Sequence, residues 1–364
     1  MIIRRRHFVA AGAAGLALPA LAQQAAPLGP PDPAAAQREG RLVIYSNMQA
    51  ENWRPVIQGF NQKHPGIRVE TIDIGSREVM ERYLAERGTG SATADLLATA
   101  QPDGWIDFSR RGEILEYVSP EAGAWPDWAK PLPGLYTISA DPLIFLWNNA
   151  LVPEARRPKT FAQFAEIAAA NAGPWRNKVT SYGVHTAPFG YAANFAFTRD
   201  RPQAWDWLAG VAKAQPRFET GGGPMTEKIT SGEYHIGYFV SAITIWPRLA
   251  DPARARLLGW SFAHDGQVLM MRGVAIPKGA RNINAAKLML DWIVSKEGQQ
   301  AFGRGGLTPA RPDVGAGDGI RHSYSSIVKD VGGENNIVLV NYDPNMISGF
   351  DAFQTRWKSV FGIR

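Results

Sequence analysis

Three short turns in the first third of the chain carry side chains suited to gripping a small charged molecule. They are Ser46-Asn47-Met48, Gly75-Ser76-Arg77 and Thr99-Ala100-Gln101. Each follows an apolar run and is read as a strand-to-helix junction. At such a junction the first helical N–H groups lack partners and carry a partial positive charge, which suits an anion. Ser46 and Ser76 offer hydroxyls there, to a ligand or as plain helix caps. Asn47, Thr99 and Gln101 add further polar atoms. Arg77 brings a planar fork that matches a carboxylate or phosphate, or else is a solvated helix arginine.

Two later stretches extend the set. Thr220-Gly221-Gly222-Gly223-Pro224-Met225-Thr226 places Gly222 and Gly223 where backbone amides can approach a ligand closely, unless the stretch is only a mobile loop. His185-Thr186-Ala187-Pro188-Phe189-Gly190-Tyr191 offers Thr186 and Tyr191, against ordinary loop packing. Trp105, Tyr136 and Tyr238 are candidates for an aromatic wall, or core residues.

Catalytic signatures are missing. The chain has no Gly-x-Ser-x-Gly elbow, no His-Glu-x-x-His and no Walker-type Gly-Lys-Ser/Thr. His64, His185, His235, His264 and His322 are scattered, with no pair two or four apart, so histidine ligation of a metal is not expected. There is no cysteine, which removes disulfides, thiolate nucleophiles and cysteine-based metal sites. Gly315-Ala316-Gly317-Asp318-Gly319 resembles a phosphate loop only superficially; it follows no strand and reads as a connection. No cofactor is expected. Carboxylates and tyrosines can still meet in space without a motif, so an enzyme stays open as an alternative.

The elements that must position these residues alternate in a regular way. Leu42-Val43-Ile44-Tyr45 reads as a strand buried on both faces. Trp53, Val56, Ile57 and Phe60 give the next helix one apolar face, which His64-Pro65-Gly66 stops. Residues 67–74 alternate like a strand, and Gly75-Ser76 opens a helix with Met80, Tyr83 and Leu84 on one side. Residues 95–99 form another short strand. This strand-turn-helix repetition predicts a parallel α/β sheet. Pro142–Trp147, a helix capped by Thr160, and a strand at 236–240 repeat the plan. Near the end, 273–278 reads as a strand closing into one long helix over 285–302.

The first 22 residues read as an address. Arg4-Arg5-Arg6 precedes an apolar run ending in Ala20-Leu21-Ala22, a small-x-small cleavage pattern with Gln23 as the expected mature start. Arg5-Arg6-x-Phe8-Val9 resembles a twin-arginine signal, with an ordinary secretory signal as the alternative. Its removal lowers the formal charge from +6 to +3, so the balance does not point to nucleic acid. The remaining 342 residues suffice for two domains. Residues 23–40 read as a flexible leader.

Several of these pieces together resemble the extracellular solute-binding proteins of ABC importers, in the branch that includes the ferric-ion-binding proteins. They are Leu42-Val43-Ile44-Tyr45-Ser46 with Glu51, Phe60, Gly66-Ile67-Arg68-Val69, Ala94-Asp95-Leu96-Leu97, Gly273-Val274-Ala275-Ile276-Pro277-Lys278, Ala285-Ala286 and Ser295-Lys296-Glu297-Gly298-Gln299. They run through residues 41–310 in the family's order. The resemblance implies two α/β lobes joined by crossing strands, with a ligand cleft between them. It places 41–138 with 262–310 in one lobe and 139–261 with 311–364 in the other. It also implies a periplasmic monomer that captures a solute by hinge closure and hands it to a membrane permease.

The departures narrow the ligand. Iron-binding members carry a histidine, a glutamate and a tyrosine pair at positions that fall here on Gln49, Ala100 and Ala242-Ile243. None supplies a hard anionic donor for ferric iron; Tyr234 and Tyr238 are four apart rather than paired. The expectation is therefore a small anionic organic solute, phosphorylated, phosphonate or carboxylate. A ferric or ferric-chelate receptor and a periplasmic hydrolase on the same architecture remain the alternatives.

Overall fold

The computed structural model describes residues 28–363 apart from Ala92; the exported signal expected at 1–22 lies outside them. Ten strands form one mixed sheet. They are β1 (Arg41–Ser46), β2 (Arg68–Asp73), β3 (Leu96–Thr99), β4 (Tyr136–Asn148), β5 (Val179–Tyr182), β6 (Arg217–Glu219), β7 (Ile236–Ser241), β8 (Leu258–Ser261), β9 (Gln267–Ala275) and β10 (Ile337–Val340). The order is β2-β1-β3-β9-β4-β7-β5-β6, with β8 paired to β4 and β10 to β9. At one end β1, β2 and β3 are parallel; at the other, so are β5, β6 and β7. Between them β4 and β9 run antiparallel to each other.

These two strands are long because each serves both halves. Tyr136–Pro142 of β4 pairs with β9, while its later residues pair with β7 and β8. Ile138 packs into the first-lobe core and Ala140 into the second. In β9, Val268, Leu269 and Met270 pack in the second-lobe core, whereas Val274 and Ala275 belong to the first. Phe262 and Ala263 pack in the same core as Val268, Leu269 and Met270.

Side-chain alternation explains the doubly buried run of β1. Leu42 and Ile44 enter one first-lobe core with Trp53, Phe60 and Phe302; Val43 and Tyr45 enter the opposite one with Tyr83, Trp105 and Phe108. Strand β2, at the sheet edge, stays half exposed, hence its alternating composition. The second lobe is held by an aromatic cluster in which Phe161 lies 4.5 Å from Phe197 and 5.7 Å from Tyr238, ring centre to ring centre. Tyr238 is therefore a core residue.

Helices fill both faces: α1 (Pro33–Glu39), α2 (Ala50–Lys63), α3 (Ser76–Gly88), α4 (Pro102–Arg110), α5 (Phe161–Ala170), α6 (Pro188–Asp200), α7 (Ala204–Ala212), α8 (Gly222–Thr230) and α9 (Pro252–Leu257). After β9 come α10 (Ile283–Val294), α11 (Lys296–Arg304), α12 (Tyr324–Asp330), α13 (Asn345–Ser348) and α14 (Phe350–Phe361). Within the expected leader, Pro33–Glu39 are helical. Asp32 caps α1, and Glu39 accepts from the N–H groups of Asn284 (3.2 Å) and Ala285 (2.8 Å), pinning α1 on α10. Its carboxylate answers donors that α10 would otherwise leave unpaired.

The long helix expected at 285–302 breaks at Ser295, which is extended and caps α11 by accepting from Gly298 N (3.1 Å). Gly298 is required there: a Cβ would overlap the Trp292 carbonyl. Gln299 next to it is fully buried, donating to the Ile138 and Ile293 carbonyls and accepting from Ala310 N. The residues after 311 divide. Arg311 pairs with Glu121 (2.6 Å) on the first lobe, while Ile327, Val338 and Trp357 pack in the second-lobe core. Among the described residues no helix is long and apolar enough to cross a membrane.

Two outcomes follow from this packing. Gly298→Ala should destabilise the protein by about 1–3 kcal/mol in urea denaturation, the range for forcing an atom into a filled core. His322 sits among Trp246, Phe262 and Trp260, with centroids at 4.8, 5.2 and 5.5 Å. Burial, and secondarily Arg321, lowers its pKa from 6.5 to about 4. The unfolded chain then binds more protons between those values, so stability is full above pH 6.5 and is lost as pH falls towards 4. His322→Phe should flatten the melting temperature against pH over that window relative to wild type.

Candidate functional site

A cleft of about 870 Å³ opens between the lobes. One wall is the first lobe's α3 and α4. The other is the loop at 184–187, the start of α6, Thr220, and Met346, Ile347 and Phe350 from the C-terminal segment. Helices α3, α4 and α6 follow the carboxyl ends of parallel strands, where open α/β sheets present ligand sites. Their first residues line the cleft: Gly75 to Glu78, Gln101 with Asp103, and Ala187 to Phe189.

The helix starts explain what the turns can do. Gly75 has no side chain to cap α3, and Glu78 accepts from Gly75 N at 3.0 Å. Ala187 cannot cap α6, and Pro188 at its first position has no N–H. No side chain caps either helix, and Ser76, Arg77 and Phe189 from their first turns line the cleft. In α4, Asp103 sits in the first turn, where its own N–H and that of Gly104 counter the effect of burial, which raises its pKa.

The structure brings five of the sequence-derived candidates together: Ser76, Arg77, Gln101, Thr186 and Tyr191 all line the cleft. Tyr191 shows its ring rather than its hydroxyl, which donates to the Met346 carbonyl at 2.7 Å. Burial drives its pKa up, with the charges of Asp103 and Asp343 adding to the effect.

The other six candidates lie outside this lining. Ser46 is fully buried, its Oγ accepting from Trp53 Nε1 at 2.9 Å. Asn47 Oδ1 accepts from Arg272 Nη1 and from Ala100 N. Thr99 is buried behind Ser76 and donates to its carbonyl at 3.2 Å. Gly222 packs against Tyr182 and Thr244, and Gly223 faces open space, so this glycine run starts α8 away from the cleft. Tyr238 is in the aromatic core. Trp105 and Tyr136 are likewise buried, Trp105 donating to the Thr99 carbonyl and Tyr136 accepting from Ser119 N.

Sequence reasoning missed Asp103, Phe108, Met346 and Phe350. Asp103 had a signal, standing second in a helix opened by Pro102. The C-terminal residues had none, because the distance along the chain from Ser76 hides their proximity.

The charges on the first-lobe wall are mostly answered. Arg111 pairs with Asp107 at 2.7 Å and Arg77 lies 3.9 Å from Glu81, both well exposed. Asp103 Oδ1 and Gln101 Oε1 are buried and have no hydrogen-bond partner. Among the described residues no group of three histidines or carboxylates is placed to hold a metal ion. Ala100, Ala242 and Ile243 are buried; Ala100 reaches into the second-lobe core and Ile243 into the first.

Comparison with known proteins agrees with this architecture. No curated protein sequence matches the chain. A substrate-binding protein of an ABC transporter from Agrobacterium tumefaciens is similar in structure, with a TM-score of 0.78 at 20% identity over 90% of this chain and 96% of that one. Iron-bound HitA from Pseudomonas aeruginosa gives 0.67 at 16% identity, over 88% and 99%. The periplasmic binding protein AfuA from Actinobacillus pleuropneumoniae, with fructose-6-phosphate bound, gives 0.66 at 18%, over 90% and 100%. At these identities the likeness establishes a two-lobed binding-protein fold. The family model of bacterial extracellular solute-binding proteins matches residues 56–323, and the chain belongs to that family.

Proposed function

We propose that this protein is the periplasmic receptor of an ABC importer, capturing a small organic solute with an anionic group by closure of its lobes about β4 and β9. The observation that carries the reading is the arrival of α3 and α6 from opposite lobes, with their starts uncapped by any N-cap side chain, at one cleft. An anion held there touches N–H groups of both walls only when the lobes are together, so binding shifts the equilibrium towards the closed form. Ser76 and Thr186 add hydroxyls and Arg77 a guanidinium. The Phe108, Phe189, Met346 and Phe350 side chains suit an organic body rather than a bare ion.

The choice against ferric iron rests on donor chemistry. Ala100, Ala242 and Ile243 carry no ligand atoms, and hard trivalent iron prefers anionic oxygen. The relatives of known structure include both an iron-bound and a sugar-phosphate-bound protein, so fold alone does not decide.

Native mass spectrometry of protein purified from the periplasm, compared with its denatured mass, tests the reading. The expected result is a non-metal organic adduct lost on denaturation, on a chain beginning at Gln23. An iron-mass adduct overturns the organic-anion reading. Once a solute is in hand, Arg77→Ala and Thr186→Val should each weaken it about tenfold by calorimetry, equivalent to about 1.4 kcal/mol.

A further inference from the structure

Along α3 and α4, spacing decides what each helix presents to the cleft. Ser76, Met80 and Leu84 stand four apart and form one stripe of α3, while Gly104, Phe108 and Arg111 form one of α4. The stripes meet at Gly104, where a Cβ would come within 2.9 Å of Met80 Sδ. Glycine lets the two helices close on each other there, over the buried side chains of Met80 and Phe108. From Ser76 to Leu84 the α3 stripe runs about 12 Å at the helical rise. The charges beside it pair within their own helices, Arg111 with Asp107 at 2.7 Å and Arg77 more loosely with Glu81 at 3.9 Å.

What the stripe leaves open away from Ser76 is Leu84, half-buried. On the second lobe Phe350 is half-buried and Ile347 is 41% exposed. All three line the same cleft, and of the large apolar side chains exposed among the described residues only Ile347 does so. The polar groups of that wall, His185, Thr186 and Thr220, come from a different segment, the loop at 184–187 and the end of β6. Direct contact between the lobes, at Ala100, Ile243 and Gly306 on Pro247, leaves this apolar surface uncovered. Apolar surface kept open inside a binding cleft marks where a ligand buries its own.

We infer that the captured solute is amphiphilic: an anionic head carrying a hydrocarbon chain, with the chain lying along the α3 stripe between Leu84 and the surface of Ile347 and Phe350. This rests on the organic-anion reading above and narrows it. Polyhydroxylated anions are disfavoured, because hydroxyls pressed against these three side chains would lose water without gaining a partner.

The test is calorimetry on the mature protein with two homologous series, butyrate to octanoate and ethyl to hexyl phosphate. Hexan-1-ol, fructose 6-phosphate and citrate are run alongside. In at least one series, lengthening the chain by two methylenes should tighten binding about tenfold, close to the value of burying them. Ile347→Ser should cut that gain to threefold or less, and should melt with wild type because the residue is exposed. Leu84→Ser repeats the test from the other wall. Affinity flat with chain length in both series, or tightest binding of fructose 6-phosphate or citrate, overturns the apolar seat and leaves the anion reading intact. Hexan-1-ol binding as tightly as hexanoate and hexyl phosphate keeps the seat and overturns the anion reading. A full chain-length gain retained in both variants, or no binding by any probe at millimolar concentration, overturns the inference.

Discussion

The buried ion pair between Asp141 and Arg272 is the interaction on which the rest of the structure depends. Asp141 is fully buried and Arg272 is 1% exposed, and the guanidinium meets the carboxylate through Nε at 2.9 Å and Nη2 at 2.7 Å. They stand on β4 and β9, where both strands pass from one lobe to the other. Removing one partner of such a pair leaves a charge in the interior, a loss of about 3–5 kcal/mol. The pair is fully served by its neighbours: Ser139 Oγ donates to Asp141, Thr308 N donates to Ser139, and Arg272 Nη1 donates to Asn47. Asn47 also receives Ala100 N. One network thus fixes the crossing strands to the two turns that precede α2 and α4. The polar residues at those turns serve the hinge before they serve any ligand.

That division explains how far the sequence was legible. The strand-turn-helix alternation was readable because apolar runs and helix-period stripes report burial locally. So Leu42–Tyr45, the Trp53 face and the Ser76 helix stand where their spacing puts them. The leader and the long C-terminal helix were misread for a shared reason. Each is shaped by contacts made elsewhere, Glu39 with the start of α10 and Gly298 with the Trp292 carbonyl. Neither contact leaves a local period. The turns were located correctly as turns. Their side chains could not be sorted, since Ser46 facing Trp53 and Ser76 facing the cleft look alike in one dimension.

The two walls of the cleft divide the chemistry. The first lobe supplies charge: Arg77, Arg111 and four carboxylates on α3 and α4. The second supplies apolar and aromatic surface from Phe189, Tyr191, Met346 and Phe350, with a hydroxyl from Thr186. Phe350 packs edge-on to Tyr191 with centroids 4.8 Å apart, so the start of α14 is itself part of the aromatic wall. The C-terminal segment is thereby part of the cleft's construction as well as of the lobe's core.

Where the lobes already touch bears on what they can hold. Ala100 from the first lobe packs among second-lobe side chains, and Ile243 from the second packs among those of the first. Gly306, with φ +89°, lies against Pro247 across the same boundary, and a Cβ there would come within 3.0 Å of the proline ring. These small and apolar residues let the two backbones approach closely, and Ala100, Ala242 and Ile243 bring no side-chain oxygen to that contact. The open volume lies at the starts of α3, α4 and α6. Its lining sets the charged helices of the first lobe opposite the apolar and aromatic surface of the second, so one occupant would touch both chemistries.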